Sequence, residues 1–260
     1  MINSLQGATV LVTRPVAQAQ NLCDLLVKQG GQALRFPTLE ICASQPEPQA
    51  LQAAMVSDWL IFTSRNAVDF AIKAFNGKMP VLNTTRIAAV GDATASALHA
   101  AGWRVDCVPV SEFSSEGLLA EMPLQMLKGS RCVIVRGIGG REKLAEVLTA
   151  RGAKVGYLEV YKRLQPQLDS TELTDSLRTN QLDAVTVTSI EALQNLGAMV
   201  NEPLWTLLMA LPLVVVSDRI RQVAEQMGFT HILVSKKPTD AAILETLTTL
   251  LNGENSGRIN

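Results

Sequence analysis

The sequence predicts an α/β protein of two similar lobes, each a parallel sheet of about five strands with helices on both faces, the lobes joined by two crossing strands. Three observations carry this. Short apolar, β-branched runs alternate with segments of helical periodicity along almost all of the 260 residues, the pattern of βαβ units. One unit recurs: WLIFTSRNAV (Trp59 to Val68) and AVTVTSIEAL (Ala184 to Leu193) are both apolar runs that end in Thr-Ser and open a helix. A chain of this length also sits near the size at which one hydrophobic core divides into two.

Taken in order, Ala8 to Thr13 (ATVLVT) is apolar throughout rather than alternating, as a buried parallel strand requires, and Arg14-Pro15 ends it. Ala17 to Lys28 carries Leu22, Leu25 and Leu26 at helical spacing and stops at Gly30-Gly31. Gln32 to Phe36 is a second strand. Pro37, the stretch TLEICAS, Pro46 and Pro48 read as the first crossing between lobes. A short helix over Gln49 to Val56, a strand over Trp59 to Thr63 and a helix from Arg65 to about Phe75 follow. Strands are expected at Arg86 to Val90, Arg104 to Val108 and Arg131 to Val135. Between them lie helices over Gly91 to Ala101 and Ser114 to Met122, the second capped by Ser114 in SEFSSE. A helix over Gly139 to Ala150 leads into Lys154 to Arg163, which is long for a strand and reads as the second crossing.

After Pro166 the alternation resumes: a helix over Ser170 to Thr179, a strand over Ala184 to Thr188 and a helix over Ile190 to Val200. A strand over Leu213 to Ser217, a helix over Asp218 to Met227, a strand over His231 to Ser235 and a helix over Thr239 to Leu251 complete it. The polar tail after Gly253 is expected to fray. Residues 1–37 with 166–260 then make one discontinuous lobe and 43–157 an inserted one. Residues 38–42 and 158–165 are a two-strand linker and hinge.

Composition narrows the function. Hydrophobic residues are 47% and charged residues 18%, an ordinary globular balance. Aromatic residues are only 4% and the net charge is −1, which argues against a base-stacking platform and against phosphate neutralisation, so no nucleic-acid partner is expected. No apolar run approaches the roughly 18 residues that span a bilayer, and MINSLQGATVLVTRP has no basic region ahead of a long apolar core. No membrane association and a cytoplasmic location are expected. The four cysteines (Cys23, Cys42, Cys107, Cys132) include no C-x-x-C and are expected to be reduced, structural thiols. His99 and His231 are the only histidines, so no metal site is expected.

In open parallel sheets ligands bind beyond the carboxyl ends of the strands. Those ends here are Thr13-Arg14, Thr63-Ser64, Gly91 to Thr94, Arg136-Gly137, Thr188-Ser189, Ser217-Asp218 and Ser235-Lys236, rich in hydroxyls, glycines and arginines. No G-x-S-x-G elbow or Walker A is present, and in RGIGGRE the third glycine of a dinucleotide fingerprint is replaced by Glu142. Each Ser or Thr is read either as a plain helix cap or as part of an anion-binding rim of helix N-termini. Arg14 and Arg136 either pair with ligand carboxylates or form salt bridges with the protein. Gly91 is either a backbone turn or a close approach to ligand. Tyr161, on the presumed return strand, is either packing or a phenol that donates a proton. Lys236 and Lys237 read as solvated, and Arg65 receives no role.

Taken together and in order, VLVTRP (Val10 to Pro15), FTSRNAV (Phe62 to Val68), AAVGDATASAL (Ala88 to Leu98), VIVRGIGGREKLAEVLTARGAKV (Val133 to Val155), EVYKR (Glu159 to Arg163), VTSIEAL (Val187 to Leu193) and VVVSDRIRQVAEQMGF (Val214 to Phe229) resemble uroporphyrinogen-III synthases across nearly the whole chain. The resemblance implies a cofactor-independent lyase of tetrapyrrole biosynthesis, acting as a monomer on hydroxymethylbilane, with transient contact with hydroxymethylbilane synthase. It implies closure of that linear tetrapyrrole with inversion of ring D through a spiro intermediate. Carried over position by position, it implies that Thr13, Arg14, Ser64, Asn66, Gly91, Thr94, Arg136, Gly137, Ser189, Ser217 and Thr239 bind substrate in a cleft between the lobes and that Tyr161 is a general acid. A net charge of −1 offers no net attraction for an octa-anionic ligand, so long-range steering is not expected. Two rival readings fit the same architecture: a non-catalytic two-lobe protein that binds a small anion, and a transferase using a nucleotide-activated donor. The second lacks the phosphate motif and acidic metal ligands it should carry.

Overall fold

The computed structural model describes residues 4–77, 80, 82, 84–140 and 142–255. The chain begins with β1 (Thr9–Val12), α1 (Val16–Lys28) and β2 (Gln32–Arg35). It continues through β3 (Glu40–Ala43), α2 (Pro48–Met55), β4 (Trp59–Phe62), α3 (Arg65–Ala74), β5 (Arg86–Ala89), α4 (Asp92–Ala100) and α5 (Ser115–Ala120). A 3-10 turn at Met122–Leu124 precedes β6 (Arg131–Gly137), α6 (Lys143–Ala150) and the long β7 (Lys154–Leu164). Then come α7 (Thr171–Arg178), β8 (Ala184–Val187), α8 (Ile190–Met199), α9 (Glu202–Met209), β9 (Leu213–Val215), α10 (Asp218–Gln226), β10 (Ile232–Val234) and α11 (Asp240–Asn255). The chain divides into two compact units, one running to Glu40 and resuming at Leu164, the other spanning Ile41–Arg163.

In the first unit a five-stranded sheet has the order β10-β9-β8-β1-β2, each neighbouring pair parallel. Its strands bury alternate residues on opposite faces. Leu11, Val185, Val187, Leu213 and Val215 pack with α7 to α10, while Val10, Val12, Ala184 and Val214 pack with α1 and α11. Both faces are covered, which is why β8 is buried along its whole length and why its sequence does not alternate.

The second unit repeats the scheme with the order β3-β7-β6-β4-β5, and its β7, β6, β4 and β5 are mutually parallel. Leu60, Phe62, Val133 and Val135 face α3 and α4; Trp59, Ile61, Cys132 and Ile134 face α5 and α6. The α/β class and the two five-stranded, helix-covered sheets agree with the sequence reading.

Several elements differ from expectation for local reasons. Arg104 to Val108 is not a strand: only Cys107 bridges to Ala88, and the Asp106 carboxylate accepts the Ile87 N–H at 2.9 Å, taking a position a strand backbone would fill. The helix expected from Gly139 begins at Lys143, because Gly139 has φ +73°, a left-handed conformation that cannot enter a helix. The helix expected to reach Met122 stops at Ala120, where Pro123 sets a separate 3-10 turn. Helix α9 was not anticipated, although Asn201 caps it and Pro203 lies in its first turn, both start signals. Of the tail expected to fray, 256–260 lies outside the described residues, and α11 continues through Asn255. Arg141, within the expected helix from Gly139, also lies outside them.

Among the described residues no helix is long and apolar enough to cross a membrane. The cysteines are unbridged, and burial pushes the Cys107 and Cys132 thiols up to about 11. The thiolate is the reactive species. Native protein at pH 8 is therefore expected to react quickly with a thiol reagent at the half-buried Cys42 and slowly at Cys23, Cys107 and Cys132. All four should react after denaturation, and Cys42→Ser should remove the fast phase. Fast labelling of Cys132 in the native state would contradict this packing.

Candidate functional site

Because the sheets are parallel, each unit gathers its strand ends on one edge. In the first unit that edge carries Thr13 and Arg14 after β1, Ser189 after β8, Ser217 after β9 and Thr239 after β10. The hydroxyls of Ser189, Ser217 and Thr239 accept backbone N–H groups from Ala192 (3.0 Å), Ile220 (3.4 Å) and Ala242 (3.4 Å). Each cap satisfies one of the four amides that a helix start leaves open.

Thr13 is different. It is 0% exposed, and its hydroxyl donates to the Thr186 carbonyl at 2.7 Å while Thr186 donates back to Leu11 at 3.1 Å. Its side chain ties β1 to β8 and does not face solvent. Arg14 forms an ion pair with Asp240, which also accepts from Asn21, so its charge is engaged inside the unit. The sequence reading passed over Thr38, also fully buried: its hydroxyl donates to Ala192 O at 2.9 Å, and Asn195 donates to its carbonyl at 2.8 Å. That network anchors the chain where it leaves the first unit.

In the second unit Ser64 caps α3, accepting the Ala67 N–H at 3.1 Å, and Asn66 lies in the same first turn. Gly91 precedes α4 with φ −168°, an extended conformation open to any residue, so the turn reading does not explain it. What glycine supplies is room: a Cβ there would sit 3.3 Å from the Cβ of Phe113. Thr94, in the first turn of α4, is buried.

Arg136 is 7% exposed and committed on several sides. It donates to Glu159 at 3.1 Å, to Glu142 at 2.8 Å and to the Gly140 carbonyl at 3.2 Å, and its guanidinium lies 3.7 Å from the Tyr157 ring centroid. Burial works against its charge, but the bonds to Glu142 and Glu159 prevail and its pKa lies above the ordinary value. The hydrogen bond from Tyr157, then the one from Arg136, hold the Glu142 carboxyl below the usual range. Both strand-end arginines are thus in ion pairs with the protein.

Tyr161 is placed by a register shift. Along β6 and β7, Arg136 pairs with Glu159 but Gly137 pairs with Tyr161, leaving Val160 as an extra residue. A strand alternates faces with period two, so Tyr161 would otherwise point with Glu159. The bulge instead puts it on the side of Leu158 and Val160 and of α3. Its ring lies 5.6 Å from that of Phe70, and its hydroxyl is 3.3 Å from Ser64 Oγ and 3.5 Å from Arg163 Nη2. Gly137 makes this possible: a Cβ on it would fall 2.5 Å from Tyr161 Cε2. Three of the residues expected to form the site, Ser64, Gly137 and Tyr161, are therefore in one cluster. Arg163, which the sequence reading quoted but gave no role, joins them. Its signal was its spacing, two positions after Tyr161 and so on the same strand face. Among the described residues no group of three or more His, Cys, Asp or Glu side chains is placed to hold a metal ion.

A family model described as uroporphyrinogen-III synthase HemD matches residues 20–245, most of the chain. The chain belongs to the uroporphyrinogen-III synthase family. It is 35% identical to the uroporphyrinogen-III synthase of Escherichia coli K12 over 92% of this chain and 99% of that one. The corresponding protein of Salmonella typhimurium LT2 is 34% identical over the same shares. Among solved structures, the uroporphyrinogen-III synthetase of Helicobacter pylori 26695 superposes with a TM-score of 0.63 at 17% identity, covering 94% of this chain and 99% of that one. A variant uroporphyrinogen III synthase from Thermus thermophilus gives 0.58 at 18% identity, covering 96% and 98%. At those identities the structural likeness supports the fold; the family assignment rests on the sequence matches.

Proposed function

We propose that this chain is a uroporphyrinogen-III synthase, a hydro-lyase of tetrapyrrole biosynthesis that closes hydroxymethylbilane with inversion of ring D. The family match over residues 20–245 carries the reading. It favours the synthase over a non-catalytic anion-binding protein of the same architecture.

The chemistry asks for orientation above all. Loss of the hydroxyl on ring A leaves an azafulvene, with the pyrrole nitrogen supplying the electrons. The substituted α-carbon of ring D attacks it to give a spiro intermediate, which fragments and recloses as the type III isomer. Holding a flexible chain so that the hindered carbon attacks first is a positional task, and positioning alone can supply several kcal/mol of the barrier, about 7–11 in favourable cases. With Arg14 and Arg136 paired to protein carboxylates, the reading assigns substrate carboxylates to helix-start amides beside Ser64, Gly91, Thr94, Ser189, Ser217 and Thr239. Asn66 and Gly137 complete that set. Thr13 contributes by holding its strand end in place. Tyr161 is the proposed acid for the departing hydroxyl, because its phenol oxygen sits at the strand-end edge beside Ser64.

An isomer assay tests this. Freshly generated hydroxymethylbilane is mixed with purified protein, and the oxidised products are separated by chromatography. Uncatalysed closure gives type I; predominant type III is the expected result. Type I alone from folded protein would reject the synthase reading and return the anion-binding one.

A further inference from the structure

We infer that Arg163 is a positioning residue for the Tyr161 hydroxyl, holding its oxygen on the acceptor side so that the proton is presented to substrate and the oxygen is stabilised as that proton leaves. The inference rests on the synthase reading and on Tyr161 as the acid, and goes beyond both by assigning the group that makes the phenol competent.

The argument is one of donors and acceptors. A guanidinium has only N–H donors, so at 3.5 Å Arg163 Nη2 can meet only a lone pair of the Tyr161 oxygen. Ser64 Oγ, 3.3 Å from the same oxygen, already accepts the Ala67 N–H. Within the Ser64–Tyr161 pair one proton lies along the shared contact, and the other is left to point outward. When Ser64 donates, Tyr161 carries the outward proton and its oxygen receives two donors, the arrangement that best stabilises a developing phenolate.

The rest of the surroundings points the same way. Tyr161 is only 2% exposed, with its ring flanked by Phe70 and by Gly137. The groups at its hydroxyl end are the half-buried Ser64 and the exposed Arg163, so that end is the one a ligand approaches. The bulge at Val160 produces this. By restoring Tyr161 to the face of Leu158 and Val160, it leaves Arg163, two residues on, on the tyrosine's own side of the strand.

The step balances. Tyr161 gives its proton to the hydroxyl of ring A, the C–O bond breaks and water departs. The phenolate is held by Arg163 and Ser64. It recovers a proton when ring D, after reclosing, loses the hydrogen from its unsubstituted α-carbon and regains aromaticity. The net change is loss of one water.

A double-mutant cycle on kcat, with isomer analysis of the product, tests the assignment. Arg163→Met in the otherwise unchanged chain is expected to lower kcat roughly 10-fold with KM changed less than about 3-fold, and Arg163→Lys to recover part of the loss. In a Tyr161→Phe background, Arg163→Met should cost less than about 2-fold, since the group through which it acts is gone. Circular dichroism and melting temperature confirm that each variant folds. An equal loss in both backgrounds, or a loss confined to KM, would overturn the assignment and make Arg163 a direct contact to a substrate carboxylate. Unchanged kcat in Arg163→Met would overturn it also. Type I product alone from the unaltered chain would overturn the synthase reading and this inference with it; type III from the unaltered chain with full turnover in Tyr161→Phe would remove only the acid and its partner.

Discussion

Tyr161→Phe is expected to lower the rate of type III formation by about 100-fold, the lower end of what a positioned proton donor contributes. The ring should stay where it is. Its packing against Phe70 and across Gly137 involves carbon atoms that Phe retains. What is removed is the hydroxyl, with its contacts to Ser64 and Arg163. One such hydrogen bond is worth about 1 kcal/mol, so the melting temperature should fall by only about 2–4 °C. A large kinetic effect beside a small stability effect is the signature of a chemical role. As enzymic closure slows, spontaneous closure competes, and the product should shift toward type I. The measurement is the type III to type I ratio as a function of enzyme concentration. Turnover close to that of the unaltered chain would show that the pyrrole nitrogen expels hydroxide without help from this phenol.

Gly137→Ala is expected to damage both stability and activity, for a steric reason. A Cβ at this position would stand 2.5 Å from Cε2 and 2.6 Å from Cζ of Tyr161, closer than two carbons tolerate. The ring is boxed in by Phe70 and cannot yield freely. Overpacking of this kind costs about 1–3 kcal/mol, which corresponds to a fall of roughly 2–4 °C in melting temperature per kcal/mol in a chain of this size. Any relief must come from moving the ring, and with it the hydroxyl that meets Ser64 and Arg163. Activity should therefore drop even at temperatures where the protein is folded. A combined Gly137→Ala, Tyr161→Ala variant supplies the control. With the ring removed the extra methyl has room, and Tyr161→Ala should cost less stability in the Gly137→Ala background than alone. If Gly137→Ala melts at the unaltered temperature and retains full activity, the close approach of glycine and ring is not a constraint on the fold.

Much of this architecture was legible without coordinates. The alternation of apolar runs and helical segments, and the repeat around the two Thr-Ser pairs, depend on periodicity and on residues a few positions apart. So do the caps: Ser64, Ser114, Ser189 and Ser217 each accept the N–H three residues on. The sequence alone therefore determined the α/β class, two similar sheets and where the serine-capped helices begin. Contacts between distant parts of the chain were decided only in three dimensions. Thr13 meets Thr186 because β1 pairs with β8, and that pairing turns an apparent ligand hydroxyl into a buried tie between strands. Whether Arg14 and Arg136 pair with a ligand or with the protein stays open in the sequence, because the pairings with Asp240 on α11 for one, and with Glu159 on β7 and the nearer Glu142 for the other, form only in the folded chain. The aim of Tyr161 was least legible of all. A one-residue bulge reverses the face that a period-two reading assigns, and whether a strand bulges is set by the strand beside it. Local hydrogen bonds are encoded over three or four residues, whereas the direction of a strand side chain depends on the register of its neighbour, which no short stretch contains.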